Sequence, residues 1–238
     1  MPLGEAHAGR MQVVLEQGKK GKRVVAVAPA WPGLSRGDKT EEAALERLRS
    51  YQPRYLPVAR HAGLENEFSI DAPLEVVERY VGTGSTDFWG ISFAFSENDR
   101  QEMSEAELER EISLLQGCWA FFDEVRGRVS AELRKGPRGG GWDRDQLVWH
   151  TVANEMDWAA GLGLPKRPEA MPSDDALRGH RDAYVNAIRA HHAQGKMARK
   201  WPLRYLIRHS AFHTMDHAWQ MEDKDLTGDT AGKRGHAA

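Results

Sequence analysis

In the stretch RHSAFHTMDHAWQMEDK, residues 208 to 224, histidine recurs at every fourth position: His209, His213 and His217. On an α-helix such residues share a face and lie about 6 Å apart along the axis, so the three span roughly 12 Å. With metal–nitrogen bonds near 2.0–2.1 Å, one ion can be held by one adjacent pair, and a third ligand must come from another helix. His150, in LVWHTVANEMDW, is the candidate, because its neighbours Val148, Trp149 and Val152 are apolar and an imidazole among them needs a partner for its ring nitrogens. Three neutral imidazoles leave a divalent ion its full charge and an open position for water or substrate, the arrangement of a catalytic site rather than a closed structural one. Zinc is expected first, with nickel or iron also suited to imidazole. The alternative is that the histidines only line a helix.

The other ionisable residues divide by their surroundings. His180, His191 and His192 have charged neighbours and are expected on a solvated surface; His209 is expected on the helix surface, the alternative being a place supporting the ligands from behind; His7, His61 and His236 follow no pattern. Glu155 and Asp216 could support the ligands from behind or be plain surface charges. Glu222 and Asp223 are expected to end their helix or to pair with Arg208 and Lys224. Trp149, Trp158 and Trp219 could wall a pocket or pack a core. No catalytic residue is assigned, and no general base.

The elements that must position these residues are helices. SEAELEREISLLQGCWAFFDEVRGRVSAELRK places Ser104 and Glu107 in capping-box spacing and strings Leu108, Ile112, Leu115, Trp119, Phe122 and Val125 along one stripe. GPRGGG ends this helix. A second follows over WDRDQLVWHTVANEMDWAAGLG, starting near Trp142 or Asp143; a third opens at Ser173; a fourth runs from about Pro202 to Asp225. Four helices with mostly short connections predict a four-helix bundle, a common frame for metal sites built from facing side chains.

The first part of the chain has another period. MQVVLEQ and RVVAVAPAW read as strands joined by a glycine-containing turn, GKKGK, and WPGLSRGD reads as a turn. A helix capped by Thr40 follows, carrying Ala43, Ala44, Leu48 and Tyr51, with Pro53 expected to break or kink it. EFSID and EVVERYVG read as further strands, and STDFWGISFAFS as a loop or edge strand. The sequence thus predicts an α+β N-terminal domain over 11–98, an all-α four-helix bundle over 104–226 and a disordered polar tail over 227–238.

Composition narrows the function classes. The 33 Lys and Arg against 35 Asp and Glu give a formal charge of -2, and no long basic patch runs along the chain, so a neutral small-molecule substrate is expected rather than nucleic acid or a membrane. The single cysteine, Cys118, excludes an intrachain disulfide, and its neighbours Leu114, Leu115, Phe121 and Phe122 place it in a core. The first residues lack a signal peptide's apolar stretch and no run reaches membrane-spanning length, so a soluble, cytoplasmic protein is expected.

The segments LVWH, 147 to 150, and HTMDHAWQMED, 213 to 223, resemble the DinB/YfiT-like superfamily of four-helix metalloproteins, over about residues 104–226. That resemblance implies His150, His213 and His217 as the metal ligands. It further implies an enzyme acting on a small molecule, either a hydrolase or a transferase or isomerase that activates a low-molecular-weight thiol. A non-catalytic metal-binding or stress-associated protein, and a homodimer through bundle faces, are compatible with it. VVAVAPAWPGLSRGDKTEEAALERLRSY, residues 24 to 51, is similar to the small domain of HicB-like antitoxins through W31-P32-G33-L34, G37-D38 and T40-E41-E42-A43, which implies an interaction or regulatory module.

Overall fold

Apolar residues alternate or run together in MQVVLEQ and VVAV, and these segments form strands β1 (Met11–Gln17) and β2 (Val24–Val27), paired antiparallel with Val14 opposite Val27 and Gln17 opposite Val24. The computed structural model describes residues 9–137 and 139–228, and in it the chain is mixed α/β: a four-stranded sheet in the N-terminal part, followed by helices. His7, His236 and most of the 227–238 tail lie outside the described residues.

The sheet order is β3-β2-β1-β4, with β3 (Ser35–Asp38) antiparallel to β2 and β4 (Leu74–Val81) parallel to β1. The turn expected over WPGLSRGD therefore ends early. Gly33, at φ +98°, completes the reversal, the Leu34 amide donates to Trp31 O at 2.9 Å, and SRGD continues as a buried strand. Between Val13 and Val14 the pairing shifts, with Val76 opposite the first and Glu78 opposite the second, so Val77 is an extra residue in β4.

Helix α1 (Glu41–His61) starts at Thr40, whose hydroxyl accepts from the Ala43 amide at 3.2 Å. It continues through Pro53 and Pro57 rather than breaking. Each proline removes one backbone donor, but Pro53 is exposed, and the helix buries Ala44, Leu48, Gln52, Tyr55, Val58 and Ala59 on its other side. EFSID is not a strand. Only Phe68 of these residues is buried, in an aromatic group with Trp31 and Tyr55 (ring centroids 4.7 and 5.3 Å), and Ser69 donates to Asp71 in a turn-like contact at 2.8 Å. STDFWG forms a short helix, α2 (Gly84–Trp89), capped by Thr83, and a four-residue helix, α3 (Glu97–Arg100), follows.

The remaining helices are α4 (Glu105–Arg128), α5 (Arg144–Ala159), α6 (Asp174–Ala193) and α7 (Leu203–Lys224), with one 3-10 turn at Ala160–Leu162. Ser104 and Glu107 exchange capping hydrogen bonds, and every residue of the Leu108-to-Val125 stripe is buried. Asp143 and Ser173 occupy the N-cap positions of α5 and α6.

By internal contacts the chain divides into two units, Met1–Cys118 with Lys200–Phe212, and Trp119–Arg199 with His213–Ala238. In the first, α1 packs on β2 and β3. The backbone of α4 comes so close to α1 that a Cβ on Gly117 would lie 2.7 Å from Val58 O, while Cys118 is buried beside it.

On another side of this unit the buried charges are matched in detail. Glu16 is fully buried in β1, and its carboxylate accepts from Thr86 Oγ1 (2.5 Å), Ser92 Oγ (2.5 Å), Tyr80 OH (3.1 Å) and the amides of Phe93 (3.0 Å) and Ala94 (3.2 Å). Arg208, expected near the acids that end α7, instead donates to both Asp99 oxygens (2.6 and 2.7 Å), to Ser92 Oγ (2.9 Å) and to Ala94 O (3.0 Å). Asp99 and Arg208 are both buried, so removing one leaves the other uncompensated. Arg208→Met is expected to lower the unfolding free energy by about 3–5 kcal/mol, measured by urea denaturation; a loss below about 1 kcal/mol would contradict this account.

Candidate metal centre

His213 and His217 are one helical turn apart on α7, and His150 stands on α5; all three belong to the second unit. The structure brings them together. His213 Nε2 lies 3.2 Å from His150 Nε2 and 3.2 Å from His217 Nε2, and one nitrogen from each of the three rings can be chosen so that all lie within 4.8 Å of one another. Two nitrogens held at 2.0–2.1 Å from one tetrahedral ion are about 3.3–3.4 Å apart. The two short separations fit that edge.

Hydrogen bonding sets what each nitrogen presents. Gln220 Oε1 accepts from His217 Nδ1 at 2.8 Å, which leaves Nε2 of a neutral His217 as a lone pair aimed at its neighbours. Asn154 Nδ2 donates to His150 O at 2.8 Å and lies 3.4 Å from His150 Nδ1. An imidazole nitrogen offers one proton or one lone pair in the ring plane, so His213 Nε2 completes a full hydrogen bond with only one of its two neighbours. A cation at the common point meets all three nitrogens at once, so the donor set fits one.

The electrostatics favour the neutral, ligand-competent rings. Burial lowers the pKa of His150, with His217 and Arg167 acting in the same direction; burial lowers that of His217 too, against the opposing pull of Asp216 and Gln220. Two indoles flank the group. Trp142 stands 4.7 Å from His150 and Trp158 5.1 Å from His213, centroid to centroid, and Trp142 is 45% exposed.

The other residues singled out from the sequence fall elsewhere. His209 is buried rather than on a helix surface, stacked on Tyr205 at 5.2 Å and beside Trp201 and Phe93, in the first unit. His180 is mostly covered, with Nε2 3.8 Å from Glu155 Oε1. Glu155 is no surface charge: it is buried against Arg181, at 3.3 Å, and Arg181 also pairs with Asp123 at 2.8 Å. Glu222 pairs with Arg128. Trp219 is a fully buried core residue, and Trp149 packs on Val152, Met156 and Leu177. Sequence reasoning missed Trp142, Asn154 and Gln220. Asn154 is four residues after His150 and Gln220 three after His217, so a search one turn along each helix would have found both.

Compared with protein-family models, curated proteins and solved structures, the chain matches none. Among the described residues no helix is long and apolar enough to cross a membrane.

Burial pushes His180 down to about 4 and His209 down to about 3, with Arg181 and Arg208 respectively adding to the effect. Unfolded, both rings protonate near 6.5. The fold therefore has their full contribution above about pH 6.5 and loses it as the pH falls towards the folded values. Stability to urea is expected to decline between about pH 7 and pH 4, with the His180 ring titrating near 4 by NMR. An ordinary titration of that ring would contradict the burial described.

Proposed function

We propose that residues of about 104–226 form a DinB/YfiT-like four-helix bundle in which His150, His213 and His217 hold one divalent ion, zinc first and nickel or iron as alternatives. The chain is then a metal-dependent enzyme acting on a small molecule, as a hydrolase or as a low-molecular-weight-thiol-dependent transferase or isomerase. One observation carries this reading: three Nε2 atoms from two helices converge through two 3.2 Å contacts that meet at His213 Nε2, which has a single proton or lone pair for both. Residues 11–98 serve as a HicB-like interaction module, a reading supported by the hairpin, the W31-P32-G33-L34 turn and the Thr40-capped helix in the order the resemblance requires.

When bound, the ion supplies Lewis acidity that lowers the pKa of a coordinated water or thiol. The residues of the chain do the rest. Gln220 fixes His217 in the tautomer that offers Nε2. To offer Nε2 to an ion, His150 would carry its proton on Nδ1, where the amide oxygen of Asn154 would be the neighbouring acceptor. Trp142 and Trp158 cover the histidine rings with apolar surface, which strengthens electrostatic interactions there and offers a wall to a substrate's carbon skeleton.

The test is elemental analysis of protein purified without added metal. About one ion per chain is expected, and its loss in both His150→Ala and His213→Ala. Gln220→Leu is expected to keep the site but weaken metal affinity about 10–100-fold, read by competition with a chelator. Protein that holds no ion and takes up none on titration would overturn the proposal.

A further inference from the structure

Seven large apolar side chains stand out as exposed among the described residues, and three of them fall within nine positions: Val81 (69%), Phe88 (70%) and Trp89 (64%). Val81 ends β4, and Phe88 and Trp89 end α2, where their rings meet edge to face at 4.6 Å. Two adjacent aromatic rings left in water are an unusual expense for a short surface helix.

What lies beside them is basic. The turn between β1 and β2 reads GKKGKR, and α2 is tied to the backbone amides of this turn rather than to its side chains. Asp87 accepts from the amides of Lys20 (2.6 Å) and Lys22 (2.8 Å), and Thr83 O accepts from the amide of Lys19 (3.4 Å). The approach is close enough that a Cβ on Gly18 would lie 2.1 Å from Asp87 Oδ1. Lys19, Lys20 and Lys22 are all exposed, and the Arg23 side chain lies against Gly90, just beyond Trp89. Asp87 turns its carboxylate to the turn's amides. The chain as a whole carries a charge of -2, and GKKGKR is a short local basic run that the fold ties to α2.

We propose that this tip, in which the exposed Phe88, Trp89 and Val81 share one end of the sheet with the exposed lysines of the GKKGKR turn, is a docking site for an anionic membrane surface. Its chemistry is that of interfacial anchoring, in which aromatic and aliphatic groups enter the headgroup layer while ammonium groups meet lipid phosphates and carboxylates. A single-stranded nucleic acid fits less well. Its bases stack on aromatic faces along a groove that follows the backbone, whereas these carriers are a hairpin turn, a strand end and a six-residue helix, and Val81 has no π face. Attachment of this kind is peripheral, reversible and weakened by salt.

The full chain is tested by co-sedimentation with vesicles of phosphatidylcholine alone and of phosphatidylcholine containing about a third phosphatidylserine, with oligo-dT as competitor. Partition to the anionic vesicles at least about tenfold stronger than to the neutral ones is expected, decreasing as salt rises. The double variant Phe88→Ser, Trp89→Ser loses about tenfold or more of it, and Lys20→Gln with Lys22→Gln removes the preference for anionic lipid; both keep the melting temperature of the native chain. No partition, equal partition to neutral vesicles, or partition unchanged in both variants would overturn the proposal. So would binding of oligo-dT that depends on these residues while vesicle binding is missing, which would make the tip a nucleic-acid site.

Discussion

The buried carboxylate of Glu16 constrains the first unit more than any other single group. It sits mid-strand with no solvent, so the chain must bring donors to it, and five converge from Tyr80, Thr86, Ser92, Phe93 and Ala94. That demand explains why residues 83 to 96 fold inward as a short helix and a tight segment rather than as another strand. Ser92 passes the network to Arg208, and Arg208 to Asp99, so a strand, two short helices and α7 are held by one connected set of hydrogen bonds. Such networks specify one arrangement because partial satisfaction costs more than none.

The second unit contains the opposite situation. Around Glu16 the donors match the acceptor, whereas among His150, His213 and His217 two contacts share the one site of His213 Nε2. The same accounting of polar groups thus reads the buried Glu16 cluster as structural and is compatible with a ligand at the half-buried histidines. Glu155 with Arg181 and Asp123 is the self-sufficient counterpart within the helical unit.

Much of this was legible in sequence where a local rule applied. The β1–β2 hairpin followed from composition and a glycine turn, α1 from Thr40, and α4 from its capping box and apolar stripe; helical spacing and the limited reach of one ion pointed to His150 with one adjacent histidine pair, and the resemblance implied that the pair is His213 and His217. What escaped depended on distant partners. SRGD has no apolar run, and becomes a strand because β2 offers it a ladder. Arg208, Glu155 and His209 look like surface residues by type and are buried because Asp99, Arg181 and a cage of aromatic rings meet them. Trp142 follows a glycine run with no periodicity to mark it. Pro53 does not break α1, because the burial along the rest of the helix outweighs one lost hydrogen bond.

The extra residue Val77 in β4 has a consequence for assembly. β4 closes the sheet order and so offers an outer row of backbone donors and acceptors on which a strand from another molecule could grow. The misstep between Val76 and Glu78 shifts the side-chain alternation halfway along it, so an incoming regular strand that matches one half is out of register with the other. Beyond the misstep, Arg79 is held by Glu41 of α1, fixing a charge next to that edge. The sheet is thereby terminated at four strands, and uncontrolled polymerisation through its longest strand is disfavoured.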